Sequence, residues 1–131
     1  MVSHCRSGLP EEACGIFAGR GNTAERIYPV MNVEKSPVSY LMEPGAQLQI
    51  FREIRNSRMD MVAVYHSHPS SRAYPSNKDI SLAFYPDCAY VIVGLANAEH
   101  PEIRAFHIVE GAVGNVDIVA LSPEVDAEKG Y

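Results

Sequence analysis

The sequence predicts an α/β protein of the α+β type, in which about two helices pack on a mixed, mostly antiparallel sheet. Residues 61–65 and 89–95 are continuous apolar runs, which are typical of central strands covered on both faces. Residues 47–58 carry apolar side chains at helical spacing, and Pro44 suits the first turn of that helix. The middle of the chain is therefore expected to supply a buried sheet and a helix that covers it.

The other strands are predicted to form hairpins towards the two ends of the chain. Residues 12–18 and 25–32 flank the Gly-Arg-Gly-Asn turn at residues 19–22. Residues 103–109 and 112–119 are joined by a short turn that contains glycine. Because hairpin partners run in opposite directions, these segments make the predicted sheet mostly antiparallel.

Length and charge limit the classes of protein to which this chain can belong. The 131 residues are expected to form a single domain, residues 1–131. A formal net charge of −5, with scattered lysines and arginines, argues against nucleic-acid binding. No apolar stretch approaches the ~20 residues that span a membrane, and the first residues lack the apolar core of a signal peptide. We therefore expect a cytoplasmic protein with no nucleic-acid or membrane partner.

The cysteines do not suggest a disulfide framework or a thiolate metal site. Cys5, Cys14 and Cys88 are three in number, and none forms a Cys-x-x-Cys pair. Cys14 and Cys88 stand among apolar residues and are interpreted as small buried side chains. A nucleophilic role for Cys14 is disfavoured, because nothing near it in sequence lowers the pKa of its thiol.

The most informative segment follows the first apolar run. His66 and His68 are two positions apart at the end of a strand, so both imidazoles point to the same face. Ser76 is predicted to cap a short helix at residues 77–84, with Asp79 in its first turn. Zinc accepts two imidazoles and a carboxylate, and a fourth position left open for water is typical of catalytic zinc. The segment therefore predicts a metal-dependent hydrolase.

The same residues also have a purely structural interpretation. His-x-His is common, and a serine followed three residues later by an acidic residue is a normal helix-capping pair. Capping alone, however, does not require two in-register histidines upstream of Ser76 and Asp79. The remaining histidines lack partners at ligand spacing and are interpreted as surface or core residues: His4, His100 and His107.

The combined spacing resembles the signature of the MPN/JAMM zinc metallopeptidases, which is a distant Glu, His-x-His-Pro, six residues, Ser, two residues and Asp. Residues 66–69 (His-Ser-His-Pro) and 76–79 (Ser-Asn-Lys-Asp) match it with six residues between them. Residues 12–15 (Glu-Ala-Cys-Gly) are similar to the first-strand element that carries the distant Glu. The resemblance covers nearly the whole chain. Further similarities point to the short bacterial members of the family: Asn32, Ser36, Pro37, Tyr40 and residues 73–76.

The resemblance implies a JAMM/cytidine-deaminase-like architecture and one zinc per chain. It makes His66, His68 and Asp79 the metal ligands and places a water on the fourth position, hydrogen-bonded to Glu12. Glu12 is then the general base, and Ser76 donates a hydrogen bond to the oxyanion of the intermediate. Another divalent ion is an alternative to zinc, because the general order of affinities of protein ligands for divalent metals does not by itself select zinc.

The resemblance further implies a peptidase or isopeptidase acting on the C-terminal tail of a ubiquitin-like or sulfur-carrier protein, for example by releasing cysteine. The alternative is a catalytically inactive MPN scaffold that mediates protein–protein assembly. A zinc deaminase is disfavoured, since that class also needs a Cys-x-x-Cys, which is absent from the sequence. The short segment before Glu12 suggests a clipped first helix at residues 1–9 and no preceding strand, and it leaves a homodimer open.

Overall fold

The computed structural model describes residues 1–120, which form one six-stranded sheet with three helices. Residues 121–131 of the predicted domain lie outside the described residues. In chain order the elements are α1 (Val2–Ser7), β1 (Cys14–Arg20), β2 (Thr23–Val30), α2 (Pro44–Asn56), β3 (Asp60–His68), α3 (Asn77–Ser81), β4 (Ala89–Gly94), β5 (Glu102–Val109) and β6 (Ala112–Val116).

The strand order across the sheet is β2-β1-β3-β4-β5-β6. The pair β3 and β4 is parallel, and every other neighbouring pair is antiparallel. The predicted mixed, mostly antiparallel sheet is therefore confirmed. Parallel neighbours need a crossover connection, and the segment that contains α3 provides it. This crossover leaves the C-terminal end of β3 and returns to the start of β4, which places α3 near the end of β3.

Two apolar clusters cover the two faces of the sheet. On one face, Ile50 and Ile54 of α2 pack in the same cluster as Val64 and Ile92 of the central strands. Each of these four side chains is buried, and full burial of an aliphatic side chain stabilises the fold by about 1.5–3 kcal/mol.

The opposite face is covered near the N-terminus of the chain. Cys5 of α1 is buried there in one cluster with Tyr65 of β3 and Val93 of β4. Gly15 of β1 is required beneath this cluster, because a Cβ atom at that position would lie 2.1 Å from the Tyr65 ring. The central strands are thus covered on both faces, as their continuous apolar sequences predict.

Several boundaries differ from those predicted. Strand β1 begins at Cys14, so Glu12 precedes the strand and is not part of it. The segment expected to hold a clipped first helix forms α1, which makes three helices where about two were predicted. Among the described residues no strand precedes β1.

Helix α3 ends at Ser81, three residues before the predicted end at Phe84. After this point the Leu82 N–H still bonds to the Lys78 carbonyl, but the Ala83 N–H turns to Ile80 at 3.3 Å. Pro86 follows shortly and disfavours helical backbone at the residue before it. Within residues 1–120, the longest helix is α2 with 13 residues, and no helix is long and apolar enough to cross a membrane.

Candidate metal centre and active site

Three of the predicted site residues converge at one point beside the end of β3. The Nε2 atoms of His66 and His68 lie 3.1 Å apart. Oδ2 of Asp79 lies 3.1 Å from the first of them and 3.0 Å from the second. The two imidazoles are buried and the carboxylate is nearly so, with 11% of its side chain exposed. This group of three is suited to hold a metal ion.

The local sequence explains the convergence. Alternation along β3 points His66 and His68 to the face that also carries Val64, and Tyr65 to the other face. Pro69 ends the strand, and the chain returns to begin α3 at Ser76, which brings the first turn of the helix to the histidines. The prediction that the two histidines share a face is therefore confirmed.

The spacing of the three atoms fits a tetrahedral ion. Ligands bonded to zinc at about 2.0–2.1 Å lie about 3.3 Å apart, close to the observed 3.0–3.1 Å. The Nδ1 atom of His68 lies 2.8 Å from the carbonyl oxygen of Arg72, which can only accept a hydrogen bond. Nδ1 therefore carries the proton, and in the neutral ring Nε2 keeps a lone pair directed at the centre. The residues present thus fit a zinc ion.

The electrostatics also favour a cation at this point. Burial lowers the pKa of His66, so the ring is held in the neutral form that binds metals. Burial opposes ionisation of Asp79, but hydrogen bonds to His66 and His68 hold the pKa of its carboxyl well below the usual range. Burial also opposes protonation of His68, yet the hydrogen bond to Asp79 raises the pKa of this ring overall.

Glu12 is a buried carboxyl group near this centre. Burial raises its pKa to about 7, and electrostatic interactions with His68 and Asp79 also act on it. Within residues 1–120, its Oε1 atom is buried and has no hydrogen-bond partner. The backbone around it is fixed, since its N–H donates to the Ser36 carbonyl at 2.8 Å and its carbonyl accepts from Asn32 at 3.0 Å. A buried carboxylate oxygen without a protein partner is suited to bind a water at the centre.

Ser76 lies at the rim of the site and caps α3. Its Oγ accepts a hydrogen bond from the Asp79 N–H at 3.0 Å, and its own N–H donates to Oδ2 of Asp79 at 2.9 Å. The capping interpretation of Ser76 and Asp79 is therefore confirmed. Because the hydroxyl accepts in this cap, its proton is still free to be donated to another group.

An apolar cavity of about 250 Å³ adjoins the centre. Asp79, one of the three converging residues, lines this cavity together with Lys78 and with Tyr40, which stacks on His66. Most of the remaining wall is aromatic or aliphatic, including Tyr85 and Tyr90. An apolar chamber beside a polar centre is the usual form of a small-molecule or side-chain binding site.

Two contributions to the site have no clear signal in the sequence. The Arg72 carbonyl orients His68, but a backbone group can be supplied by any residue of the loop. The Arg72 side chain instead pairs with Glu102 at 3.2 Å on the surface. Tyr40 stacks on His66 with ring centroids 4.6 Å apart, and it lies outside the helices and strands of the structure. The contact between Tyr40 and His66 becomes visible only in the three-dimensional structure.

The histidines that were not predicted as ligands lie apart from the centre. His4 hydrogen-bonds the Tyr65 hydroxyl at 2.7 Å on the α1 side of the sheet. His100 and His107 are exposed. Burial raises the pKa of the Cys14 thiol to about 12, which disfavours the nucleophilic thiolate.

Comparison with known proteins supports the resemblance. The profile of prokaryotic homologues of the JAB domain (Prok-JAB) matches residues 1–109, which include all five predicted site residues. The CysO-cysteine peptidase of Mycobacterium tuberculosis is 41% identical over 115 residues, covering 86% of this chain and 79% of that protein. A probable TtuB-protein conjugate cleaving protease of Thermus thermophilus is 36% identical over 110 residues, covering 83% of this chain and 70% of that protein.

Solved structures show the same architecture. Protein DSY2949 from Desulfitobacterium hafniense superposes with a TM-score of 0.81 at 36% identity, covering 91% of this chain and 84% of that chain. AF2198, a JAB1/MPN domain protein from Archaeoglobus fulgidus, superposes with a TM-score of 0.54 at 17% identity, covering 91% of this chain and 90% of that chain. The second similarity concerns the fold, and it confirms the predicted JAMM/MPN architecture.

Proposed function

The chain belongs to the family of prokaryotic JAB-domain homologues, and we propose that it is a zinc-dependent peptidase that hydrolyses an amide bond at the C-terminal tail of a sulfur-carrier or ubiquitin-like protein. The observation that carries the proposal is the convergence of His66, His68 and Asp79 within 3.1 Å, together with the buried Oε1 of Glu12, which has no hydrogen-bond partner among residues 1–120. One zinc per chain is proposed, with these three residues as its ligands.

The chain's own residues prepare the site for that ion. The Arg72 carbonyl fixes the tautomer of His68, and the Ser76 N–H fixes the orientation of the Asp79 carboxylate. Zinc held there supplies Lewis acidity, which polarises the scissile carbonyl and makes a water more acidic. Proton transfer and stabilisation of the oxyanion are proposed to be carried out by Glu12 and Ser76.

Glu12 is proposed as the general base. Burial raises the pKa of the Glu12 carboxyl to about 7 in the metal-free protein, and a bound cation would favour the ionised form that takes a proton from water and then returns it to the leaving amine. Its burial next to the centre excludes bulk water from the carboxylate. The fixed backbone on either side of Glu12 limits the positions that its side chain can occupy.

Ser76 is proposed as the donor to the oxyanion. Its hydroxyl accepts from the Asp79 N–H, so its free proton can be donated towards the oxygen that develops charge when water attacks the amide. The capping and catalytic roles use different parts of one hydroxyl group. Both can therefore operate at the same time.

Two relatives suggest the class of substrate. The mycobacterial relative is named a CysO-cysteine peptidase, and the Thermus relative is named a probable TtuB-protein conjugate cleaving protease. The higher identity and coverage favour cysteine release from a sulfur-carrier tail over cleavage of a protein conjugate. A catalytically inactive scaffold gains no support, because it has no physical need for a buried Glu12 beside two histidines and an aspartate. Cytoplasmic location and a homodimer stay predictions.

The test is direct. The purified chain is incubated with the sulfur-carrier and ubiquitin-like proteins of its own genome, each extended by a C-terminal cysteine or linked to a lysine side chain. Mass spectrometry of the carrier C-terminus should then show loss of the extension. The Glu12→Gln variant, in the same buffer and with equal zinc content, should shorten each carrier more slowly by about 10²-fold or more. Failure of the wild-type chain to shorten any carrier would exclude the proposed substrate class.

A further inference from the structure

The two histidines of the centre are held in different ways. The Nδ1 atom of His68 is anchored by the Arg72 carbonyl at 2.8 Å, as is usual for a metal-binding imidazole. The Nδ1 atom of His66 is buried and has no hydrogen-bond partner within residues 1–120. Some other contact must therefore fix the orientation of the His66 ring.

Tyr40 supplies an aromatic contact to that ring. The centroids of Tyr40 and His66 are 4.6 Å apart, and the ring planes are inclined by 29°, which is a stacked arrangement. His66 is 1% exposed, so its ring is enclosed on the other sides by the protein core. A stacked partner restricts rotation of the imidazole even though it makes no hydrogen bond to it.

The segment that carries Tyr40 is itself braced. The Asn32 side chain donates to the Ser39 carbonyl at 3.1 Å and accepts from the Leu41 N–H at 3.0 Å, on both sides of Tyr40. The same amide group donates to the Glu12 carbonyl at 3.0 Å. One buried side chain therefore ties the backbone of Tyr40 to the backbone of the proposed base.

We propose that Tyr40 is a positioning residue for the metal centre: its ring holds His66 in the orientation that directs Nε2 at the ion. This inference rests on the proposed function, because it takes His66 as a metal ligand. The contact is made by the ring face, so phenylalanine preserves it and an aliphatic residue does not. Tyr40 also forms part of the wall of the adjoining cavity, so a shift of its ring would alter both features together.

Zinc affinity, measured by competition with a chromophoric chelator, distinguishes the contribution of the Tyr40 ring from that of its hydroxyl group. Tyr40→Phe should keep the affinity within about twofold, whereas Tyr40→Leu should weaken it by about tenfold or more, the range found when a contact that orients a metal ligand is lost. The matched control is Tyr85→Leu, which removes another tyrosine from the same cavity wall. That control should bind zinc within about twofold of wild type.

Two further measurements distinguish positioning from general loss of structure. Urea denaturation of the metal-free variants gives the folding free energy of each. Tyr40→Leu should lose more zinc affinity than Tyr85→Leu does, even where the two variants have the same folding free energy. The absorption spectrum of the cobalt-loaded Tyr40→Leu variant should change in the visible region, while that of Tyr85→Leu should match wild type. Equal zinc affinities in Tyr40→Leu and Tyr85→Leu would overturn the proposal, as would equal losses in Tyr40→Phe and Tyr40→Leu.

The ligand assignment is checked in the same titration. His66→Ala should abolish tight zinc binding. If His66→Ala binds zinc as wild type does, the proposed ligand set fails. If His66→Ala loses zinc and Tyr40→Leu retains it fully, only the role of Tyr40 fails.

Discussion

Ser76 and Asp79 exchange two hydrogen bonds at the start of α3. The Ser76 hydroxyl accepts from the Asp79 N–H at 3.0 Å, and the Ser76 N–H donates to Oδ2 of Asp79 at 2.9 Å. The same Oδ2 atom faces both histidines. A helix cap thus orients the carboxylate that is proposed to bind zinc, and it leaves the hydroxyl proton available.

Removal of the Ser76 hydroxyl should affect activity far more than folding. For Ser76→Ala we expect kcat to fall by about 10²–10³-fold, as when an oxyanion donor is lost. The free energy of unfolding should fall by only about 1 kcal/mol through loss of the cap. The control is Ser81→Ala, since Ser81 at the other end of α3 donates only to the Lys78 carbonyl. An unchanged kcat in Ser76→Ala would remove Ser76 from the proposed reaction.

Loss of a ligand should remove the metal. Asp79→Ala should reduce bound zinc from one per chain to below detection in elemental analysis, because two buried imidazoles alone leave the site incomplete. His107→Ala changes an exposed histidine of β5 and should keep a full complement of zinc. Chelation of zinc from wild type should lower the melting temperature, since the ion binds only the folded state. Full zinc occupancy in Asp79→Ala contradicts the ligand assignment.

The raised pKa of Glu12 predicts a pH dependence of stability in the metal-free protein. The folded carboxyl has a pKa of about 7 against 4.5 in the unfolded chain. Between these values the folded state binds more protons, so the free energy of unfolding falls as pH rises from about 4.5 to 7. The groups acting on Glu12 are His68, Asp79, Lys78 and Glu34, besides burial itself, which is the largest cause.

Glu12→Gln should remove that dependence. Relative to wild type, the metal-free variant should be more stable at pH 8 by on the order of 2 kcal/mol, allowing for partial solvent screening, and should gain little at pH 4. Urea denaturation at the two pH values, in the presence of a chelator, measures the difference. If the substitution changes the free energy of unfolding equally at both pH values, Glu12 does not cause the pH dependence.

Gly94 should be essential for the loop that orients His68. A Cβ atom at Gly94 would lie 2.8 Å from the Ala73 backbone nitrogen and 3.1 Å from the Ser71 carbonyl oxygen. Gly94→Ala must therefore displace the loop that presents the Arg72 carbonyl to His68. We expect zinc affinity to fall by about tenfold or more. Calorimetric titration of the metal-free protein measures it.

Gly114→Ala provides the matched control for that substitution. Gly114 is also in a strand, and a Cβ atom there meets nothing within 4 Å. Its zinc affinity should equal that of wild type. If Gly94→Ala and Gly114→Ala bind zinc equally well, the loop is not what orients His68.

The convergence of the three proposed ligands could be predicted from sequence because it depends on local rules. Alternation along a strand places His66 and His68 on one face, and a capping pattern places Asp79 in the first turn of a helix. The site also needs these two elements to meet. The crossover between the parallel strands β3 and β4 carries α3 and brings them together.

The contributions of Tyr40, Arg72 and Gly94 could not be predicted in the same way. Tyr40 reaches His66 from an irregular segment that the Asn32 side chain and backbone hydrogen bonds hold in place. Arg72 acts through its carbonyl group, which carries no side-chain signal. The role of Gly94 depends on the close approach of a loop from a different part of the chain. Each is a tertiary contact without a local pattern.

The most direct test of the account compares zinc content with turnover in one variant. Wild type and Glu12→Gln are loaded with zinc, analysed for metal, and incubated with a sulfur-carrier protein that ends in an added cysteine. We expect one zinc per chain in both proteins, with cysteine released by wild type and a loss of turnover of about 10²-fold or more in the variant. Turnover by zinc-loaded Glu12→Gln at the wild-type rate would contradict this expectation.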